Sequence, residues 1–390
     1  MATPSIAMIP SGYKAEKIYS VLPTNGAGDL TFNRNSTATR VNKSGLIEQV
    51  STDIPRLDYS DGSCPSLLLE PQIINLITKS NEVIATSNAV VTLNAAISPD
   101  GTSNAFKIKF TGTSSNSGGL LSLESNPTAG TFAASTVYTL SFYAKNLVGD
   151  GGFNARIDTD STSTLKQEEF TATSNWQRFT MSFTTDAGST KFGSNSRFKN
   201  FQQNGEVLFY GVQLEKNLFA TSLIPTTNGI LTRSADSASK TGLSSYINDS
   251  EGVLYAEISA LGDDLTFRNV SLSDSSLINR LYIRYPNVSN IIQAIVEISG
   301  VYQVVITQVV SDITLNSKVA FRYKANDFSL FINGTKYIGT PLNGGSVPSG
   351  LNRLGFDYGI AGADFYGKAK DVRVYNTALT DAELTTLTTI

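Results

Sequence analysis

The stretch Phe328–Ile338, FSLFINGTKYI, decides the fold class. Two extended runs flank Asn333-Gly334, the pair favoured in a type I′ turn, where both central residues need a positive φ. The stretch reads as a β-hairpin. The same alternation recurs outward from it. GVLYAEISA (252–260) points Leu254, Ala256 and Ile258 to one face, and LYIRY, IIQAIVEI and VYQVVITQVV (281–310) are β-branched and aromatic runs suited to buried strands. Further upstream, AFKIKF alternates Phe106, Ile108 and Phe110, and VYTLSFYAK alternates Tyr138, Leu140, Phe142 and Ala144. NWQRFTMSF follows with Phe179, Met181 and Phe183, and EVLFYGVQLE with Leu208, Tyr210, Val212 and Leu214. Period-two patterns separated by Gly, Asn, Ser and Asp clusters predict half-buried antiparallel strands in sandwiches or jelly rolls. One short helix closes the chain over 380–387, with Thr380 and Glu383 as a capping box and Leu379 and Leu384 as its hydrophobic staple.

Composition agrees with an all-β chain. Of 390 residues, 40% are hydrophobic and only 16% charged. Ordinary domains carry about 25% charge, and surface helices need it. The net charge of −3 offers no clustered cations for phosphates, so nucleic acid is not an expected partner. No apolar run reaches the ~18 residues of a membrane span, so no membrane insertion is expected either. The N-terminal MATPSIAMIPSGYKAEK has only IAMI as an apolar core, too short for a signal peptide, and the expectation is synthesis in the cytosol without the usual secretory export. Cys64 is the single cysteine and there is no histidine, so His-dependent nucleophiles and His-bearing metal sites are excluded.

The N-terminal region is harder to place. LTFNRNSTATRVNKSGLIEQV (30–50) is polar and carries only sparse anchors such as Phe32, Val41, Leu46 and Ile47. The expected organisation is a docking peptide over 1–22, an extended β-rich connector over 23–70, a first sandwich over 71–230, a linker over 231–247 and a second sandwich over 248–390. The fold class is thus all-β, two β-sandwich (jelly-roll) domains in tandem after an extended N-terminal anchor.

Three segments resemble known families. EGVLYAEIS, KVAFRYKANDFSLFINGTKY and ADFYGKAKDVRVYNTALTDAELTTL make residues 248–390 similar to a concanavalin A-like (laminin G-like) lectin sandwich. SPDGTSNAFKI, YTLSFYAKN, NWQRFTMSFTT and GVQLEKNLFATSLIPT make 71–230 similar to the carbohydrate-binding-module-like jelly rolls of phage structural proteins. The N-terminal 70 residues resemble the start of virion fibre and spike proteins of tailed bacteriophages. The resemblance implies a head or tail fibre located on the virion and assembled in the host cytoplasm. Its implied partners are capsid or tail proteins and a host cell-surface glycan, and its implied state is a homo-oligomer, a trimer above all. Ile6, Ile9, Tyr13, Ile18 and Tyr19 are the expected virion-anchor residues. A purely structural decoration without receptor binding is the alternative, with a polysaccharide depolymerase behind it.

Concanavalin A-like folds include glycosidases, which need two carboxyl groups across the scissile bond. No Glu-x-Asp-x-x-Glu strand occurs, and Glu168-Glu169 and Asp263-Asp264 are adjacent pairs that point apart, so no enzyme is expected. Tyr358 and Tyr366, close to Asp357 and Asp364, are the candidate sugar contacts, because tyrosine joins a flat apolar face to a hydroxyl. No cofactor is expected, although Asp263 and Asp264 are candidate calcium ligands. Trp176, the one tryptophan, is expected in a core.

Overall fold

The computed structural model describes residues 2–10, 18–86, 88–112, 118–122, 133–159, 164–188, 191–199 and 205–390. They form 29 strands and one helix, and they divide into two compact units. The all-β class and the sandwich architecture are as the alternating patterns require.

The first unit joins residues 1–35, 50–71 and 235–390. One of its sheets runs in the order Thr335–Gly339, Phe328–Ile332, Ser317–Lys324, Glu251–Ala260, Gly367–Tyr375, Ser66–Leu69 and Arg56–Asp58, with Ile6–Met8 also paired to Gly367–Tyr375. The other runs Thr31–Asn33, Ser237–Lys240, Arg353–Gly355, Arg268–Ser273, Arg280–Tyr285, Ile291–Ile298 and Val301–Val309. Leu254, Ala256 and Ile258 face the core between them, as their spacing predicts. Val253 and Tyr255, on the opposite face of the same strand, pack with Leu379, Leu384 and Leu387 of the closing helix region. The helix spans Asp381–Thr388, and Thr380 caps it in the expected box with Glu383. In the hairpin turn Asn333 and Gly334 adopt φ of 49° and 84°, the two positive values a type I′ turn needs.

The second unit joins residues 36–49 and 72–234. One sheet holds Gln177–Thr184, Val137–Val148, Glu206–Glu215, Ala105–Phe110 and Ala89–Ala96; the other holds Thr164–Thr171, Gly152–Asp158, Arg197–Lys199, Gly119–Leu121 and Val83–Ala85. Its core is aromatic. The Phe142 ring lies 4.7 Å from Phe198, 5.5 Å from Phe170 and 5.8 Å from Phe153 and Phe179.

The strand Glu206–Glu215 departs from its expected face. Val207, Phe209, Val212 and Leu214 enter the core, whereas Tyr210 packs on the other side with Ile47 and Leu223. The pairing with Val137–Val148 shifts register between Ser141 and Tyr143, and Gly211 takes φ of +64°. One extra residue therefore reverses the alternation midway along the strand. Trp176 is half-buried against that small cluster and donates from Nε1 to the Ile97 carbonyl at 3.2 Å, outside the main aromatic core.

The N-terminal 70 residues are divided between the units, where one extended connector was expected. Ile6, Ile18, Leu30, Phe32, Leu67 and Leu69 lie in the first unit's core, so Ile6 and Ile18 are spent inside the fold and offer no side chain for docking. Ile9 and Tyr19 are half-buried, and Tyr13 lies outside the described residues. The expected linker also carries structure: Ser237–Lys240 is a sheet strand, and Leu243 and Ile247 are buried.

Charge holds the first unit's segments together. Arg56 pairs with both Glu70 and Asp236, and Asp236 also takes Arg34 at 3.2 Å. All four side chains are at most 2% exposed. The Asp236 carboxylate accepts from the Glu70 backbone N–H at 2.8 Å, and the Glu70 carbonyl accepts from the Asp236 N–H at 3.0 Å. The two carboxylates hold the Arg56 guanidinium well above its ordinary pKa, against the opposing and largest effect of its burial.

Candidate functional site

The site follows from strand alternation in the seven-stranded sheet of the first unit. Val270, Leu272, Leu281, Ile283, Ala294 and Val296 point into the core. Their neighbours along each strand must point the other way. On Arg280–Tyr285 these are Arg280, Tyr282 and Arg284, and on Ile291–Ile298 they are Gln293, Ile295 and Glu297. Cross-strand register places Arg280 opposite Glu297, Tyr282 opposite Ile295, and Arg284 opposite Gln293.

One end of this outer face is closed by the loop 356–364. Beside Arg280, Arg353 Nη1 donates to the Gly359 carbonyl at 2.9 Å, and the loop's last turn is tied further along the sheet, where Asn269 Nδ2, opposite Arg284, donates to the Ala363 carbonyl at 2.8 Å. Arg280 pairs with Glu297 at 2.8 Å, and its guanidinium carbon sits 3.7 Å from the Tyr358 ring centre. Tyr282 meets Tyr358 edge-on at 5.2 Å. Burial, reinforced by the Tyr358 hydroxyl, pushes the Tyr282 hydroxyl far above its ordinary range, so it stays protonated.

The other end is open. Phe267 is 40% exposed, Thr307 is exposed, and Arg284 and Gln293 are partly so. Arg284 Nε donates to Gln293 Oε1 at 2.7 Å, and Gln293 Nε2 donates to Thr307 Oγ1 at 2.9 Å. The row thus presents an aromatic ring, a guanidinium, an amide and a hydroxyl across three strands and an adjoining residue. Planar rings beside fixed donors are the chemistry that receives a sugar's C–H and O–H surfaces.

The four candidate sugar contacts are each engaged by partners within the protein. Asp357 is buried and held in a two-point pair by Arg353, and it also accepts from the Gly359 N–H at 2.9 Å. Tyr358 has one ring face covered by Arg280. Asp364 accepts from the Tyr366 hydroxyl at 3.1 Å, as a separate pair. Burial pushes the Asp364 carboxyl up, and burial beside Asp364 pushes the Tyr366 hydroxyl up.

The calcium candidates are engaged elsewhere. Asp263 accepts from Ser289 Oγ at 2.5 Å and from the Asn290 N–H at 3.1 Å, while Asp264 pairs with Arg268 at 2.6 Å. Among the described residues no group of three or more acidic, His or Cys side chains is placed to hold a metal ion. A cavity of about 310 Å³ lies elsewhere in the first unit, lined in part by Phe32, Asp53, Pro55 and Lys240.

Sequence reasoning missed Phe267, Arg284, Gln293 and Thr307. The signal was present in RLYIRY (280–285), where polar and aromatic residues alternate with apolar ones. Reading LYIRY only as a buried run hid its second face.

Residues 261–385, about a third of the chain, match the model of the concanavalin A-like lectin/glucanases superfamily. No curated protein matches the chain. Among solved structures, the chain is similar to the CBM40 module of the Ruminococcus gnavus IT-sialidase bound to α2,3-sialyllactose, at 14% identity and a TM-score of 0.32, covering 37% of this chain and 84% of that one. Domain 4 of AbnA, a GH43 arabinanase from Geobacillus stearothermophilus, in complex with arabinotriose, is similar at 12% identity and a TM-score of 0.32, over 40% of this chain and 73% of that one. The tandem CBM22 domains of Paenibacillus barcinonensis Xyn10C are similar at 13% identity and a TM-score of 0.27, over 80% of this chain and 99% of that one.

Proposed function

We propose that this chain is a fibre or spike of a tailed-phage particle, attached through its N-terminal region, that binds host-surface glycans without covalent chemistry. The observation that carries the glycan reading is the open row Phe267–Arg284–Gln293–Thr307, on a sheet within the region matching the concanavalin A-like model. The resemblance of the N-terminal residues to phage fibre and spike proteins supports the virion location. Binding is favoured over hydrolysis because the two acids on the closed end, Glu297 and Asp357, are both committed to arginines. Hydrolysis would need a pair free to exchange protons with a substrate. Trimeric assembly would multiply weak single-site contacts through avidity.

The test applies the purified full chain to a glycan array and to host cells, with Phe267→Ser as the site variant. Retention on glycans that the variant loses is the expected result. Retention on no glycan would leave the structural decoration as the better reading, and release of reducing ends from host polysaccharide would establish a depolymerase. Imaging of intact particles with the chain tagged tests the virion location, and light scattering tests the trimer.

A further inference from the structure

One arginine of the matched region differs from its fellows. Arg268, Arg280, Arg322, Arg353 and Arg373 each pair with a carboxylate. Arg284 has no carboxylate partner among the described residues; its one hydrogen bond runs from Nε to Gln293. Register explains the difference. Arg280 and Arg284 share one face of one strand, about 13 Å apart. Arg280 faces Glu297, whereas Arg284 faces Asn269 on one side and Gln293 on the other, both uncharged.

The unpaired group is also held in place. Its guanidinium carbon lies 5.0 Å from the Phe267 ring centre and 5.6 Å from that of Tyr282. The Nε bond to Gln293 fixes the plane and leaves the Nη1 and Nη2 donors without a protein acceptor among the described residues. Gln293 supplies its own N–H to Thr307, so the Thr307 proton is free to donate outward.

We infer that the open row is a subsite for the carboxylate of an acidic sugar residue, a uronate or a sialate. The inference rests on the glycan-binding reading proposed above and names the ligand class. A planar fork of two N–H groups matches a carboxylate in a two-point bond. Phe267 lies beside it for the apolar face of the ring, and Thr307 adds a donor. One guanidinium balances one carboxylate, whereas a phosphate monoester of charge near −2 would be left partly uncompensated.

The test titrates the full chain at low salt with tri-galacturonate and its neutral methyl ester, and with 3′-sialyllactose and lactose, followed by calorimetry. One acid of the two pairs binds at least about tenfold tighter than its neutral counterpart, the loss expected for a charge-assisted pair. The pair that shows it separates uronate from sialate. Arg284→Gln abolishes that preference, Arg284→Lys restores only part of it, and unchanged thermal midpoints show that both variants fold. Equal binding of acid and neutral forms, no binding of either acid, tighter binding of glucose 6-phosphate, or an Arg284→Gln protein that keeps the acid preference overturns the inference. A neutral glycan held equally by wild type and Arg284→Gln overturns the acidic subsite and leaves glycan binding standing; an array with no ligand at all removes both.

Discussion

The two units secure their sandwiches by different means. The second is closed by edge-on and tilted aromatics around Phe142 and Phe209, contacts made largely between strands of alternating apolar residues. The first has a mainly aliphatic core, but its polar N-terminal strands are joined to the body by buried charge: Arg34, Arg56, Glu70 and Asp236. The contrast shows two ways for a strand to belong to a fold. A strand rich in Phe, Ile and Leu is retained by area removed from water, at about 25 cal/mol per Å². A short polar strand such as Arg56–Asp58 has too little such area and depends on specific partners. Buried ion pairs lend specificity of this kind, but they tolerate the loss of a member poorly.

The largest expected effect breaks the charged junction. Arg56→Ala strands Glu70 and Asp236 without their shared cation and should destabilise the first unit by about 3–5 kcal/mol, read as a lower denaturant midpoint. If Arg56→Ala were nearly neutral, the network would be dispensable and the comparison would collapse. Phe142→Leu in the second unit removes ring volume from a buried site and should cost about 1–3 kcal/mol, in lost burial and the cavity left behind. Trp176, the one tryptophan, lies in that unit and reports the change by fluorescence. Thr380→Ala removes the helix cap of the first unit and should cost about 1 kcal/mol, measured by calorimetry.

The smallest effects separate the units by the sign of a pH slope. In the second unit, burial holds the Glu215 carboxyl above the ordinary glutamate range, in spite of its bonds from Thr221 and Gln213. Such a group binds its proton more tightly folded than unfolded. Its contribution is therefore present below the unfolded value, about 4.3, and is lost as pH rises through the folded one. In the first unit, the bond from Lys336, with Arg322 beside it, holds Asp381 below the ordinary range. Its contribution is present above the unfolded value, about 3.9, and is lost as pH falls through the folded one. Exposure limits the Asp381 effect to a few tenths of a kcal/mol, roughly. Thermal midpoints between pH 3 and 7 should show Glu215→Gln removing a downward slope and Asp381→Asn removing an upward one. Slopes of the same sign would refute the assignment.

How legible the molecule was varies by element. The Asn333-Gly334 turn, the Thr380 cap and the Leu254–Ala256–Ile258 face were readable because each depends on residues a few positions apart. The strand Glu206–Glu215 was half legible, because a glycine at 211 reverses the alternation and nothing in a period-two count marks a bulge. The candidate site was the least legible part. Tyr358 drew notice as an aromatic in a loop, but the register of three strands makes it a lid over Arg280 and leaves Arg284 open.

The sequence by itself determined the strands, the turn, the closing helix and the absence of histidine chemistry, since local spacing and composition carry that information. Only the tertiary structure decided where the polar N-terminal strands belong and which arginine stays unpaired. Arg34 and Asp236 are 202 positions apart, and Arg56 and Asp236 are 180. No local pattern encodes a partner at that distance. Which charges meet is settled by strand order and register, and register shifted by one residue would exchange every buried side chain for an exposed one.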